Sequence, residues 1–95
     1  MALFVLTCVD RPGALEHRLA LRPDHLAYLE AHKQMVRLAG PQLDAAGQPV
    51  GSLLLIEAED LAAAEAFAAG DPYARGDLFE TVAIRGFRLA VGALA

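Results

Sequence analysis

The opening run of this chain limits its fold more than any other segment. Ala2–Val9 is a short stretch rich in Val, Leu and Phe, closed by the turn residues Asp10-Arg11-Pro12-Gly13. Both of its alternating sets are largely apolar: Ala2, Phe4, Leu6 and Cys8 on one, Leu3, Val5, Thr7 and Val9 on the other. A strand of that kind is covered on both faces. A chain of 95 residues has room for a modest core in one domain spanning 1–95, but not for two. Its own helices can cover one face of such a strand, and the other face calls for something else.

The remaining elements follow from turn signals and periodicity. Ala14–Ala20 reads as a short helical turn, with Leu15 and Leu19 at i,i+4 and Glu16, His17 and Arg18 pointing out. Arg18 and Arg22, also four apart, either bind an anion or are solvated surface charges. Pro23 suits the first position of a helix and Asp24 its first turn, so the main helix is predicted from Pro23 to about Leu38, stopped by Gly40-Pro41. On it His25, Tyr28, Leu29, His32, Met35, Val36 and Ala39 share one side, placing His25 one turn in from the start. Pro41-Gln42-Leu43-Asp44 fits a short strand, paired across the Gly47 turn with a second strand at Val50–Ala58. Asp60 caps an alanine-rich helix at Leu61–Ala69, which Gly70 ends, and Asp71-Pro72 repeats that cap-plus-proline device before Tyr73–Gly76. Phe79–Arg88 is the last strand. Leu89–Ala95 is an apolar tail that either packs on a partner subunit or stays disordered.

The order is β-α-β-β-α-β, an α+β ferredoxin-like sandwich with an antiparallel sheet and helices on one face. Its other face is left open although the first strand is apolar there. A second copy stacked on that face resolves the conflict, so a homodimer is expected. The composition agrees, because 56% of the residues are hydrophobic. A net charge of −4 with mixed signs argues against nucleic acid as a partner. No window approaches the ~20 apolar residues that span a bilayer, so no membrane role is expected. The lone Cys8 excludes an internal disulfide and agrees with a reducing compartment, and the reading is a cytoplasmic protein.

Few residues are left to carry chemistry. There is no cysteine pair, no His-Glu-x-x-His, no calcium loop, no phosphate-binding glycine loop and no Gly-x-Ser-x-Gly elbow, so neither metal nor cofactor is expected. His25 and His32, seven apart, are too far along a helix for the usual i,i+4 metal pair. What remains is His25 facing inward and a carboxylate to partner it. Asp71 is the best candidate, because Gly70-Asp71-Pro72 pins it at a helix junction. On the residues alone two accounts stay open: an acid/base pair, or a plain buried histidine beside a helix-capping aspartate. His32 reads as a core or interface histidine, His17 as a surface one, and Tyr28 and Tyr73 as packing aromatics with a hydroxyl to donate.

Arg18-Leu19-Ala20-Leu21-Arg22-Pro23-Asp24-His25-Leu26, then Ala39-Gly40-Pro41, Gly51-Ser52 and Ala69-Gly70-Asp71-Pro72-Tyr73, resemble the YCII-related (YciI-like) family from Leu3 to Phe87. The resemblance implies a dimeric ferredoxin-like domain with an active site around His25 and Asp71, lined by Arg18, Arg22, Ser52 and Tyr73. It further implies a small cofactor-free enzyme. His25 would act as general acid or base, with Asp71 orienting its ring, on a small organic substrate, aromatic or anionic, by a lyase-type elimination, a hydrolysis or an isomerisation. The alternative on the same fold is a non-catalytic small-molecule-binding or regulatory module. Gly76-Asp77 stands where the family tends to have Ala-Gly, and Gly86 where proline is common, both at the edge of the implied pocket.

Overall fold

The apolar runs at the start and in the middle of the chain pair with one another. β1 (Ala2–Asp10) lies antiparallel to β3 (Pro49–Ala58), with Phe4 opposite Ile56, Leu6 opposite Leu54 and Cys8 opposite Ser52. β2 (Val36–Leu43) pairs with the far side of β3, and β4 (Phe79–Phe87) with the far side of β1, giving the antiparallel order β2-β3-β1-β4. The computed structural model describes residues 1–94; the last residue of the apolar tail, Ala95, lies outside them. Helices α1 (Leu15–Ala31), α2 (Leu61–Gly70) and the single turn α3 (Pro72–Arg75) complete the β-α-β-β-α-β ferredoxin-like arrangement.

The core lies between sheet and helices. Phe4, Leu6, Cys8, Leu54, Ile56 and Ala58 meet Ala64 and Phe67 of α2, Tyr73 of α3, and Leu78 and Phe79 at the start of β4. Asp60 caps α2 as expected, its carboxylate accepting from the Ala63 N–H at 2.8 Å. The hairpin closes across Gly47, which has φ 83°, and the Asp44 carboxylate accepts from the Ala46 and Gln48 N–H groups. At Gly70 a Cβ would come within 2.6 Å of the Tyr28 hydroxyl, so glycine lets α2 end against α1.

Two boundaries differ from the sequence reading. α1 begins at Leu15 rather than Pro23, absorbing the separate turn expected at Ala14–Ala20 and leaving Pro23 inside the helix. The proline removes an N–H that would bond to the Leu19 carbonyl, and both residues lie on the exposed side of the helix. α1 also ends early, at Ala31, and Val36–Ala39 belong to β2 rather than to a helix running to Leu38. Gly40 and Pro41, read as a helix stop, are strand residues. β2 is an edge strand, and an edge tolerates a missing ladder donor.

The second sheet face carries no helix and is largely apolar. By the register it holds Leu3, Val5, Thr7 and Val9 of β1, Leu53 and the buried Leu55 of β3, Leu38 of β2 and Phe87 of β4, with Glu57, Thr81 and Arg85 among them. Val9, Leu38 and Phe87 are each more than two-fifths exposed. No helix among the described residues is long and apolar enough to cross a membrane.

Candidate active site

Only two α1 residues reach full burial, and both are polar: Arg18 and His25, seven apart and therefore two turns along one stripe. Positions of that kind normally hold aliphatic side chains. Here each side chain is matched to a carboxylate. His25 Nδ1 donates to Asp71 Oδ1 at 2.9 Å, with Oδ2 at 3.1 Å. Asp71 is itself fixed by backbone, since Oδ1 accepts from the Tyr73 N–H at 2.9 Å as the N-cap of α3. Asp71 therefore does two things at once: it caps the turn and it hydrogen-bonds the imidazole. A carboxylate oxygen only accepts, so the proton on this ring edge belongs to Nδ1, and the neutral ring keeps its lone pair on Nε2.

The second pair lies beside the first. Arg18 Nη1 donates to Asp10 Oδ1 and Oδ2 at 2.9 and 3.0 Å, and Nη2 donates to Ser52 Oγ at 2.7 Å. Tyr73 joins the two. Its ring stacks on the His25 imidazole at 3.9 Å between centroids and 13° between planes, and the Arg18 guanidinium carbon sits 4.7 Å from its centroid. All are nearly sealed from solvent, with fractional exposures of 4% for Arg18, 7% for His25, 2% for Ser52, 3% for Asp71 and 1% for Tyr73.

A cavity of about 210 Å³ opens between α1 and the β2–β3 side. Arg18, Arg22, His25, Ser52 and Tyr73 border it, over an apolar wall of Leu26, Leu29, Pro41, Pro49 and Leu54. Among the described residues no buried side-chain nitrogen or oxygen lacks a partner. His25 Nε2 and Tyr73 Oη make no hydrogen bond, so both atoms are open, and the residues carrying them line the cavity. Arg22 is exposed and makes no ion pair or hydrogen bond among the described residues. Burial raises the Tyr73 hydroxyl above its ordinary pKa, against the lowering pull of Arg18 and Arg22, and it stays protonated at neutral pH. Burial, with the nearby Asp71 and Asp10 charges, pushes the Cys8 thiol up to about 12.

Of the six residues expected at the site, His25, Arg18, Arg22, Ser52 and Tyr73 line this cavity, and Asp71 lies behind His25. The setting of His25 differs from expectation. It lies in the middle of α1, away from the helix start and the positive end of the dipole. The other histidines lie elsewhere: His32 Nδ1 donates to the Tyr28 carbonyl at 2.8 Å, and His17 Nε2 donates to the Gly76 carbonyl at 2.6 Å. Asp10 is the residue the sequence reading missed, having been taken as part of a turn. Its signal was an acid directly following an apolar strand, where burial demands a cation. Gly76 and Asp77, the departure from the family pattern, are accommodated locally. A Cβ on Gly76 would crowd Leu21 at 2.6 Å, and Asp77, at φ 60°, pairs with Arg11 at 2.8 Å.

Residues 2–88 match the YCII-related domain. The chain belongs to the YCII-related domain family. Protein YciI of Escherichia coli O6:H1 (strain CFT073) is 37% identical to it over 94 residues, covering 90% of this chain and 96% of that protein. The same identity and coverage hold for protein YciI of Shigella flexneri. Among solved structures, this YCII-related domain superimposes with a TM-score of 0.87 on 5-chloro-2-hydroxyhydroquinone dehydrochlorinase (TftG) from Burkholderia phenoliruptrix AC1100, in complex with 2,5-dihydroxybenzoquinone. That chain is 32% identical, with 93% of this chain and 95% of that one covered. An antibiotic biosynthesis monooxygenase, 15% identical at a TM-score of 0.56, shares the fold alone.

Proposed function

We propose that this YCII-related domain is a small enzyme that performs general acid/base chemistry on a small ring compound, without a cofactor, by a lyase-type elimination. The carrying observation is the state of His25. Nδ1 is committed to Asp71, and Nε2 is unpartnered at the edge of a cavity. That is the arrangement of a general base whose protonated form is stabilised by the carboxylate behind it. In the elimination Nε2 takes a proton from the substrate, the electron pair left behind forms the new π bond, and the leaving group departs with its bonding pair. Arg18, Arg22, Ser52 and Tyr73 line the place where substrate oxygens would sit. A cavity of about 210 Å³ suits one substituted six-membered ring, given that an engineered cavity of roughly 150 Å³ admits benzene. The likeness to TftG supports this chemistry, since that protein is a dehydrochlorinase held in complex with a dihydroxybenzoquinone.

A homodimer is part of the same proposal. A second copy stacked on that sheet face would cover Val9, Leu38 and Phe87, exposed in one chain, and the half-buried Leu3, Val5 and Leu53 beside them. A clean monomer by light scattering at micromolar concentration would overturn it.

The enzymatic reading is tested by chloride release from 5-chloro-2-hydroxyhydroquinone. Turnover is expected in the wild type, with a loss of about 10²–10⁴-fold in His25→Gln, the range of a positioned acid/base group. Undiminished turnover in His25→Gln refutes the role of His25. No turnover, with ring binding unchanged in His25→Gln, shows the domain to be a binding module instead.

A further inference from the structure

α1 follows α3 from one end to the other, and the residues that do so form one stripe. His17, Leu21, His25 and Tyr28 are spaced by four, four and three, which spreads them over about 80° of the helix surface. Tyr28 Oη donates to the Phe67 carbonyl at 2.7 Å, beside Gly70, where α2 ends. His25 meets Asp71 and Tyr73 in the middle. At the far end Leu21 crowds Gly76, and His17 Nε2 donates to the Gly76 carbonyl. A turn of four residues has little stability of its own, so the place of α3 depends on what grips it.

The far end is gripped from a second side. Arg11, in the loop after β1, donates from Nε to the Asp77 carbonyl at 3.1 Å and from Nη2 to Asp77 Oδ1 at 2.8 Å. Its backbone N–H donates to the Leu78 carbonyl at 2.9 Å. The carbonyls of Gly76, Asp77 and Leu78 are thus all held from outside the segment, by His17 and Arg11. Asp77 needs the restraint, because φ 60° is a left-handed conformation that side chains disfavour. The Leu78 N–H then returns to the Tyr73 carbonyl at 3.0 Å, which ties the gripped segment to the residue stacked on His25. The Arg11 and Asp77 side chains are 49% and 80% exposed, so their ion pair adds little to the stability of the whole domain. What these bonds fix is the carrier of Asp71 and Tyr73.

We infer that His17 and Arg11 are positioning residues for the His25–Asp71 pair. By fixing the Gly76–Leu78 carbonyls they keep α3 in register with α1, so that Asp71 stays on Nδ1 and the Tyr73 ring stays on the imidazole. Neither residue lines the cavity. The consequence for catalysis rests on the acid/base reading above, whereas the hold on α3 does not.

The test is NMR of the unliganded chain in the wild type, His17→Ala, Arg11→Ala and His17→Gln. Two signals are read. The carbon-bound ring protons of His25 lie against the Tyr73 ring, 3.9 Å away between centroids, and its ring current displaces them. Hydrogen exchange of the Tyr73 and Leu78 amides, which bond to Asp71 Oδ1 and the Tyr73 carbonyl, reports opening of α3. Each alanine variant is expected to speed exchange at those two amides by about three- to tenfold, the net worth of one hydrogen bond, and to leave the amides of β1 and β3 unchanged. The His25 ring signals are expected to move toward those of an unstacked imidazole. His17→Gln, whose side-chain amide donates from about the place of Nε2, is expected to restore both readouts. Unchanged α3 amides and His25 signals overturn the inference, as does a glutamine variant that behaves like alanine. Equal acceleration across α3, β1 and β3, or an alanine variant that fails to fold, shows a merely structural role and overturns it too. No substrate enters the measurement, so its failure is distinct from a failure of chloride release.

Discussion

Removing one member of the Asp10–Arg18 pair should destabilise the domain far more than removing both. The two side chains are each about 5% exposed, and the guanidinium approaches the carboxylate at 2.9 Å. Asp10→Asn leaves Arg18 buried with no charge to face, and Arg18→Met leaves Asp10 in the same position. Breaking a buried pair from one side costs about 3–5 kcal/mol. The whole stability of a domain this size is about 5–14 kcal/mol, so either change removes a large part of it. At about 4–8 °C per kcal/mol, the unfolding temperature should fall by at least ~12 °C. The neutral double variant Asp10→Asn/Arg18→Met keeps the volume without the charges and should return to within about 2 kcal/mol of the wild type. Urea unfolding of the four proteins, with slopes compared to check two-state behaviour, gives the coupling energy directly. The exposed Lys33–Glu30 pair at 3.4 Å is the control, and Lys33→Met should change stability by no more than about 0.5 kcal/mol. If Asp10→Asn also costs less than about 1 kcal/mol, the pair is solvated in the working protein and the reasoning fails.

Other expectations are simpler to check. The Cys8 thiol, ordinarily near 9.0 and raised to about 12 in the fold, is deprotonated more readily unfolded than folded. Stability is therefore intact below pH 9 and falls by up to about 1.4 kcal/mol per pH unit as pH rises toward 12, a component that urea unfolding of Cys8→Ala should lack. The same shift should keep Cys8 unreactive toward iodoacetamide at pH 8 until the protein is unfolded, and rapid native alkylation would contradict it. Gly51→Ala would drive a Cβ into the Cys8 carbonyl oxygen across the β1–β3 ladder, costing about 1–3 kcal/mol, whereas Gly40→Ala meets nothing and serves as its control. Pro23→Ala should stabilise by about 1–3 kcal/mol, because Pro23 lies inside α1; a first-position proline would give no gain on replacement, so a null result restores the shorter helix.

The fold was legible because the strands announce themselves. The two-sided apolar run of β1 and the hairpin across Gly47 need no long-range information, and Asp60 and Asp71 mark the helix starts that follow them. The region around α1 was harder, for a physical reason. Pro23-Asp24 satisfies the rules for a helix start, and the rules do not forbid a proline on a solvent-facing turn of a longer helix. The C-terminal end had no glycine to mark it: the cap is His32, and Met35, Val36 and Ala39 continue the helical spacing by coincidence. Only pairing with β3 makes Val36–Leu43 a strand, and pairing is not written in local periodicity.

The candidate site survived this error because a helix face depends on phase, not on where the helix begins. His25 points inward whether the helix starts at Pro23 or at Leu15, since 100° per residue is counted between positions. The cost of the late start fell on Arg18. On the residues alone, as part of a separate turn, it read as pointing out, either an anion ligand or a solvated charge; counted back seven residues from His25 along one continuous helix, it lands on the same buried stripe. A buried arginine requires a buried acid, and the chain offers one at the end of the strand that feeds α1. Asp10 thus follows from Arg18, and Arg18 from His25, once the helix is continuous. Both pairs then have the same logic: α1 supplies the cationic or basic group, and the residue that fixes it comes from the end of β1 or the start of α3. A helix whose two fully buried positions are spent on such groups packs its core less well than one bearing leucines would. The two carboxylates, by compensating Arg18 and orienting His25, make those positions tolerable and leave Nε2 and Arg22 at the cavity between α1 and the β2–β3 side.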